Sequence, residues 1–158
     1  RLTVEKILSI DNLLISLGEG DPNIVAEIAR AVPGKNNFSF ATKFCTYVCR
    51  YYFKDSRADN YSIYDRVLSN AIPYFAWVYL GEIHIARKNS TIEKEYKFTQ
   101  DYGSYRNLID RIRESIEKKN GTPISREKFD HLLWYYYKGS DDRIKQANTF
   151  IGKDSARM

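Results

Sequence analysis

Two segments decide the predicted fold of this chain, Phe38-Ser-Phe-Ala-Thr-Lys43-Phe-Cys-Thr-Tyr47 and Tyr61-Ser-Ile-Tyr-Asp65-Arg-Val-Leu68. Each has the pattern of a helix start, and each places one ionisable side chain, Lys43 or Asp65, close to that start. A lysine and a carboxylate that are carried by successive helices can act as an amine nucleophile and its charged partner. The two segments therefore predict helical structure and a candidate active site together.

Helical patterns also precede and surround the first segment. Val4–Leu17 carries apolar residues at helical spacing, and Asp21 is a good N-cap for a second helix that continues to Pro33-Gly34. After a polar connector at residues 35–37, a third helix is expected from about Phe40. Its buried stripe is predicted at Ala41, Phe44, Cys45, Val48 and Tyr52, with Lys43, Tyr47 and Arg50 on the neighbouring face.

The second segment opens a further helix, which follows a polar loop at residues 54–60. Pro73 is expected to bend or restart this helix, and residues 76–85 are apolar enough to be largely buried. Residues 87–100 are charged and without a pattern, which predicts a long loop or a frayed helix end.

Two amphipathic helices are predicted after that stretch. The first is ended by Asn120-Gly121, and the second is opened by Thr122-Pro123. The positions expected to face inward are Ile63, Val67, Leu68 and Ala71 in the helix of the second segment, then Tyr105, Leu108, Ile109, Ile112 and Ile116, and finally Phe129, Leu132, Leu133 and Tyr136.

These patterns predict an all-α fold in one domain of residues 1–158, with six to eight helices. The core is expected from about residue 4 to residue 151, including a short last helix at 141–151, and residues 152–158 are expected to form a tail. Hydrophobic residues make up 43% of the 158, which is enough for a folded core. No run is long enough to cross a bilayer and no signal-peptide pattern opens the chain, so we expect no membrane partner and a cytoplasmic protein.

The cysteines and histidines do not form a metal-binding pattern. Cys45 and Cys49 lie four residues apart on one predicted helix, a spacing that favours neither a zinc site nor a disulfide framework. Of the two histidines, His84 is expected in the core and His131 at the surface. We therefore expect reduced thiols and no metal site.

Charge and aromatic content favour nucleic acid as a partner. The formal net charge is +5, and the chain contains 13 tyrosines and 8 phenylalanines. Cations pair with phosphates, and rings stack on exposed bases. Many soluble proteins of this charge bind no nucleic acid, however, so composition alone does not decide the function.

Lys43 has aromatic neighbours, Phe38, Phe40 and Phe44. An amine held among rings loses hydration, which lowers its pKa and favours the nucleophilic form. A lysine in the first turn of a helix also faces the positive end of the helix dipole, which acts in the same direction. Taken alone, Lys43 would be a solvated lysine and Asp65 an ordinary capping acid. As a pair, they can divide the work of removing a base: Lys43 attacks the sugar, and Asp65 stabilises the positive charge that develops on the sugar as the base leaves.

The two segments resemble the active site of the helix-hairpin-helix DNA glycosylases of the 8-oxoguanine type. In that family a glycine-rich hairpin runs into a helix that starts with the catalytic lysine, and an aspartate opens the next helix. Asp65 follows Lys43 by 22 residues here. The chain is most similar to compact bacterial proteins with the 8-oxoguanine glycosylase fold, in which a Phe-Ser-Phe-Ala-Thr-Lys segment, a Tyr-Asp segment and a late Leu-Leu-Trp segment recur. The last resembles residues 129–134.

This resemblance implies a DNA N-glycosylase with AP-lyase activity, which excises a flipped damaged purine such as 8-oxoguanine through a lysine Schiff base. Lys43 would be the nucleophile, and Asp65 would stabilise the developing charge. The implied partner is duplex DNA with a flipped base, and no cofactor is required. We expect the protein to act as a monomer.

One part of the family pattern is missing. The family's hairpin carries a Leu-Pro-Gly-(apolar)-Gly signature, whose glycines let backbone N–H groups approach a phosphate. This chain has Val32-Pro33-Gly34 instead, and no second glycine follows in place. Side chains are therefore expected to replace the backbone contacts. The predicted DNA-binding residues are Lys35, Asn36, Asn37, Phe38, Ser39, Phe40 and Tyr64, together with Trp134 or Tyr135 as a wall for the flipped purine, although a core position is the simpler prediction for these last two rings.

Two other functions remain open on the sequence. A glycosylase-fold protein without repair activity could bind a nucleoside or nucleotide, for example in phage defence, and keep Lys43 as an anion contact. A non-enzymatic helical module could use its tyrosines as a protein interface. The second alternative predicts that Lys43 and Asp65 lie far apart.

Overall fold

A computed structural model describes residues 2–82 and 101–138, and within these ranges the secondary structure is entirely helical. The predicted all-α class is confirmed. Seven α-helices are described, with a 3₁₀ turn at Ser56–Asp59 between α4 and α5. They are α1 Leu2–Leu8, α2 Leu13–Glu19, α3 Asn23–Ala29, α4 Phe38–Tyr52, α5 Arg66–Leu80, α6 Tyr102–Asn120 and α7 Arg126–Tyr137.

The described chain divides into two compact units. Unit 1 contains residues 2–64 and 101–106, and unit 2 contains residues 65–82 and 107–138. Helix α6 contributes its first residues to unit 1 and the rest to unit 2. The prediction of one domain stays a prediction. The expectations for His84, residues 87–100, the last helix at 141–151 and the tail at 152–158 lie outside the described residues.

None of the helices in the described ranges combines the length and the apolar character that a membrane crossing needs.

The N-terminal region forms two helices where the sequence predicted one. Helix α1 ends at Leu8, and α2 begins at Leu13 after Asn12, whose backbone is left-handed with φ of 55°. Asparagine tolerates this conformation better than most residues, so the break needs neither glycine nor proline. Of the apolar residues that carried the pattern, Leu17 is fully buried, whereas Val4 and Leu8 are largely exposed.

Helices α3 and α4 form a hairpin in unit 1 and pack closely on each other. Helix α3 begins one residue later than predicted, with Pro22 rather than Asp21 at the N-cap position. Asp21 still accepts a hydrogen bond from the Asn23 N–H at 2.9 Å. Helix α3 ends at Ala29, earlier than the predicted stop at Pro33-Gly34. The Asn37 N–H donates to the Ala29 carbonyl at 2.8 Å and closes the connecting loop, and Gly34 takes a positive φ of 73° within it.

The buried face of α4 differs from the predicted stripe. Its members are Phe38, Ala41, Thr42, Cys45, Thr46 and Cys49. The predicted positions Phe44 and Val48 are only half-buried, and Tyr52 is 58% exposed. The helix also begins at Phe38 rather than Phe40. Small side chains therefore face the core, which lets α4 approach α3 closely.

Both cysteines of α4 are free thiols in this core. The Cys49 thiol lies 3.6 Å from the Leu17 carbonyl oxygen, to which it donates. Burial raises the pKa of both thiols, that of Cys49 to about 11. Because the thiolate is the reactive form, these residues are structural rather than nucleophilic.

Unit 2 is built from α5, most of α6 and α7, with α5 packed on α7. The Phe75 ring of α5 meets Phe129 of α7 edge-on, with ring centroids 5.9 Å apart. Helix α5 continues through Pro73, which excludes a restart at this proline, one of the two predicted alternatives. The prediction for α6 is confirmed throughout: Tyr105, Leu108, Ile109, Ile112 and Ile116 are all buried, and the helix ends at Asn120.

Helix α7 begins at Arg126, after an N-cap at Ser125, and not at Thr122-Pro123 as predicted. Phe129 and Leu133 are buried as expected, whereas Leu132 and Tyr136 are each 53% exposed. Its start is tied to α6 by the Asp110 carboxylate, which accepts from Arg113 at 2.8 Å and from Arg126 at 2.6 Å.

Candidate active site

Lys43 lies on α4 in unit 1, at the edge of the outer face of the helix, and is half-buried. It is the sixth residue of the helix, because α4 begins at Phe38. The prediction that Lys43 lies in the first turn of its helix is therefore wrong. The helix dipole acts mainly on groups in the first turn, so it gives no argument for activating this amine.

The rings expected around Lys43 are distributed between the core and the surface. Phe38 is 3% exposed and contacts Tyr64 edge-on, with ring centroids 5.1 Å apart. Phe38 and Tyr64 thus have core positions rather than places on an exposed binding surface. Phe40 is 48% exposed, and its ring centroid lies 6.2 Å from that of Phe44.

Asp65 is the N-cap of α5 in unit 2, so it lies close to the helix start as predicted. The predicted helix also included Ile63, which lies in the non-helical chain before α5. Its Oδ1 atom accepts hydrogen bonds from the backbone N–H groups of Val67 and Leu68 at 2.9 and 3.0 Å. The side chain is therefore fixed by the helix that it caps, and it is only 8% exposed. A carboxylate held in this way is suited to electrostatic stabilisation of a developing positive charge.

The chain reaches Asp65 through a short non-helical stretch, Tyr61–Tyr64, which we call the clamped segment. All four of its residues are buried. The Tyr102 hydroxyl accepts from the Ser62 N–H at 2.6 Å and donates to the Ser62 carbonyl at 3.0 Å. The Tyr105 hydroxyl donates to the Ile63 carbonyl at 2.6 Å. Side-chain hydroxyls thus replace the backbone hydrogen-bond partners that a helix or a sheet would provide.

Thr42 completes the clamp at Tyr64. Its hydroxyl accepts from the Tyr64 N–H at 3.0 Å. The same hydroxyl can donate to the carbonyl oxygen of Ser39 or of Tyr64, which lie 3.1 and 3.3 Å from the hydroxyl oxygen. The bond joins the residue before Lys43 to the residue before Asp65. Within unit 1, the turn of α4 that carries the lysine is therefore fixed to the backbone that leads into the aspartate.

Sequence reasoning missed the hydrogen bonds that Thr42, Tyr102 and Tyr105 make to the clamped segment. Thr42 lies next to Lys43, but a threonine beside apolar residues gives no sign of a bond to the backbone 22 residues later. For the two tyrosines, the sequence offers only the high tyrosine content of the chain, which is a weak indication of hydroxyl contacts. Their partners depend on the tertiary fold.

The expected DNA-binding connector lies at the tip of the α3–α4 hairpin. Lys35 and Asn36 are exposed there, and Asn37 and Ser39 are half-buried. An exposed lysine and an exposed amide on a short loop are suitable for contacts with phosphate oxygens.

Trp134 and Tyr135 lie on α7, in unit 2. Neither is a core residue: Trp134 is half-buried, and Tyr135 is 76% exposed. The Lys138 ammonium lies 3.7 Å from the Trp134 ring centroid. A shallow cavity of about 520 Å³ lies along the exposed face of this helix, lined by Lys128, His131, Leu132, Tyr135 and Tyr136. His131 is exposed, as predicted.

The two roles of Asp65, as a cap and as a charge, can be separated by substitution. Asparagine is as good an N-cap as aspartate, so we expect Asp65→Asn to change the free energy of unfolding by less than about 0.5 kcal/mol. Asp65→Ala removes the acceptor and is expected to cost about 1 kcal/mol. Urea denaturation measures both. An equal loss in the two variants would contradict capping as the structural role of this side chain.

Comparisons with known proteins give no match: no protein-family model, no curated protein and no solved structure is similar to this chain.

Proposed function

We propose that this chain is a DNA N-glycosylase with AP-lyase activity, in which Lys43 is the nucleophile and Asp65 the stabilising carboxylate. The observation that carries the proposal is the Thr42 clamp, which bonds the residue before Lys43 to the residue before Asp65. The capping position of Asp65 gives further support, because the glycosylase resemblance requires an aspartate at the start of a helix.

The proposed reaction begins with a damaged purine, such as 8-oxoguanine, flipped out of the duplex. The neutral amine of Lys43 attacks C1′ of the sugar, and the bond from C1′ to the base breaks. The base leaves with the bonding electrons and takes up a proton. The Asp65 carboxylate stabilises the positive charge that develops on the sugar as this bond breaks.

Strand cleavage follows from the same covalent adduct. The sugar ring opens as the lysine nitrogen forms a double bond to C1′, and the ring oxygen takes up a proton. Loss of a proton from C2′ then expels the 3′ phosphate with its bonding electrons. Water finally hydrolyses the imine and releases the free amine of Lys43.

Binding of the DNA is assigned to the tip of the α3–α4 hairpin. Lys35 and Asn36 are exposed and would contact phosphates through their side chains. These side-chain contacts would replace the backbone N–H contacts that the second glycine of the family's hairpin allows. Because phosphate contacts release counterions, the affinity for duplex DNA is expected to fall steeply as salt increases.

The proposal is tested by trapping the imine. The protein is incubated with a duplex that contains 8-oxoguanine opposite cytosine, and borohydride is added to reduce the imine to a stable amine. We expect a covalent protein–DNA adduct. Because trypsin does not cleave at a modified lysine, the adduct should be found by mass spectrometry on the uncleaved peptide Asn36–Arg50.

The controls are the undamaged duplex and a reaction without borohydride, and neither should give an adduct. An adduct on another lysine would contradict the assignment of Lys43. No adduct with any damaged base, together with salt-tolerant binding of a free nucleoside, would overturn the glycosylase proposal in favour of a nucleoside-binding protein.

A further inference from the structure

The outer face of α4 carries aromatic and basic residues side by side. At 3.6 residues per turn, these positions fall within roughly 120° of one another, opposite the buried face of the helix. We call this face the α4 outer stripe. It contains Phe40, Lys43, Phe44, Tyr47, Arg50 and Tyr51, and Lys54 follows just after the helix end.

The rings of the stripe are unusually exposed for their size. Tyr51 is 85% exposed, Tyr47 56% and Phe40 48%. Single exposed rings need no explanation, but three on one stripe of one helix mark a candidate binding surface. With a rise of 1.5 Å per residue, this surface runs for about 16 Å along the helix from Phe40 to Tyr51.

Every charged residue of the stripe is cationic. Between Lys35 and Lys54 the sequence contains four cationic residues and no aspartate or glutamate. The Arg50 guanidinium lies 6.0 Å from the Tyr47 ring centroid, and the Lys54 ammonium lies 5.6 Å from that of Tyr51. The acid that follows, Asp55, is bonded by the Arg57 guanidinium at 2.7 Å, which lowers the pKa of its carboxyl to about 2.

We propose that the α4 outer stripe binds single-stranded nucleic acid. Its tyrosine rings would stack on exposed bases while the neighbouring lysines contact phosphates, the combination that single-strand binding requires. A duplex hides the faces of its bases and offers the rings nothing to stack on. Protein interfaces also favour tyrosine and arginine, but they are depleted in lysine. This stripe contains Lys43, and Lys54 follows just after the helix end. The stripe shares Lys43 with the proposed glycosylase site, but this inference does not depend on that reaction, because the residues that test it, Tyr47, Tyr51 and Lys54, lie outside the proposed site.

The test measures binding of a fluorescently labelled 12-nucleotide oligothymidylate by anisotropy at low salt. We expect the double variant Tyr47→Ala/Tyr51→Ala to bind about tenfold or more weakly than the parent, because each base stacked on a ring contributes substantially to affinity. Tyr52→Ala is the matched control. Tyr52 is 58% exposed on the same helix but lies off the stripe, and its loss should change the affinity by less than about twofold.

Two substitutions of Tyr51 distinguish stacking from apolar contact. Tyr51→Phe keeps the ring and should keep the affinity, whereas Tyr51→Leu keeps apolar surface without a ring and should bind as weakly as Tyr51→Ala. Lys54→Gln should weaken binding and make it less dependent on salt. Equal binding of the parent and the double variant, or full affinity in Tyr51→Leu, would overturn the proposal. So would an equal loss of affinity for a duplex of the same length in the double variant, or no binding of the single strand at all.

Discussion

Lys43→Gln is expected to abolish the borohydride-trapped adduct and the strand cleavage, while leaving the protein folded. Glutamine is close in size to lysine and is a good helix former, so α4 should tolerate it. The amide nitrogen of glutamine is not nucleophilic and cannot form an imine. The measurement is the fraction of damaged duplex trapped per protein molecule, compared with the parent under the same conditions.

Lys118→Gln provides the control for this prediction. Lys118 is an exposed lysine in the last turn of α6, outside the proposed site, and its replacement should leave the trapped fraction unchanged. Trapping of the Lys43→Gln variant at the parental level would show that another amine is the nucleophile. Circular dichroism of both variants checks that their helical content is the same.

Tyr102→Phe is expected to lower the free energy of unfolding by about 2–6 kcal/mol. The Tyr102 hydroxyl satisfies both the N–H and the carbonyl of Ser62, a residue that is 0% exposed. Removing this one oxygen leaves two buried backbone groups without their partner, and each such group costs roughly 1–3 kcal/mol. Urea denaturation followed by circular dichroism gives the free energy of unfolding of the variant and the parent.

Tyr51→Phe removes the same oxygen atom at an exposed position and is the matched control. Tyr51 is 85% exposed, so this change should stay within about 0.5 kcal/mol of the parent. Equal stability of the Tyr102 variant and the parent would mean that the clamped segment is held by packing rather than by its hydroxyl partners.

Helix α6 was predictable because its pattern is set by burial alone. In α6, five apolar residues at helical spacing are all buried, and Asn120-Gly121 marks the end of the helix as expected. The break at Asn12 was not predictable, because a left-handed asparagine leaves little trace in the hydrophobic pattern. On α4, hydrophobicity ranks Phe44 and Val48 above Thr42 and therefore places the buried face incorrectly.

The candidate site was predictable in part. Asp65 caps α5 as its position before Arg66-Val-Leu68 suggests, since capping is a local property of the sequence. The place of Lys43 in the second turn of α4 was missed, because the start of that helix differs by two residues from the predicted one. The hydroxyl clamps could not be derived from the sequence, since each joins residues far apart in the chain.

The position of the tyrosine clamps along the chain affects how this protein can fold during synthesis. Tyr102 and Tyr105 bond to carbonyls that precede them by 40 and 42 residues, and α5 of unit 2 lies between in the sequence. Such long-range contacts are formed late, because the chain must first lose the entropy of closing a long loop. Unit 1 is therefore completed only after the ribosome has made α5. Until then, the nascent chain carries the clamped segment with the backbone groups of Ser62 and Ile63 still open to other partners.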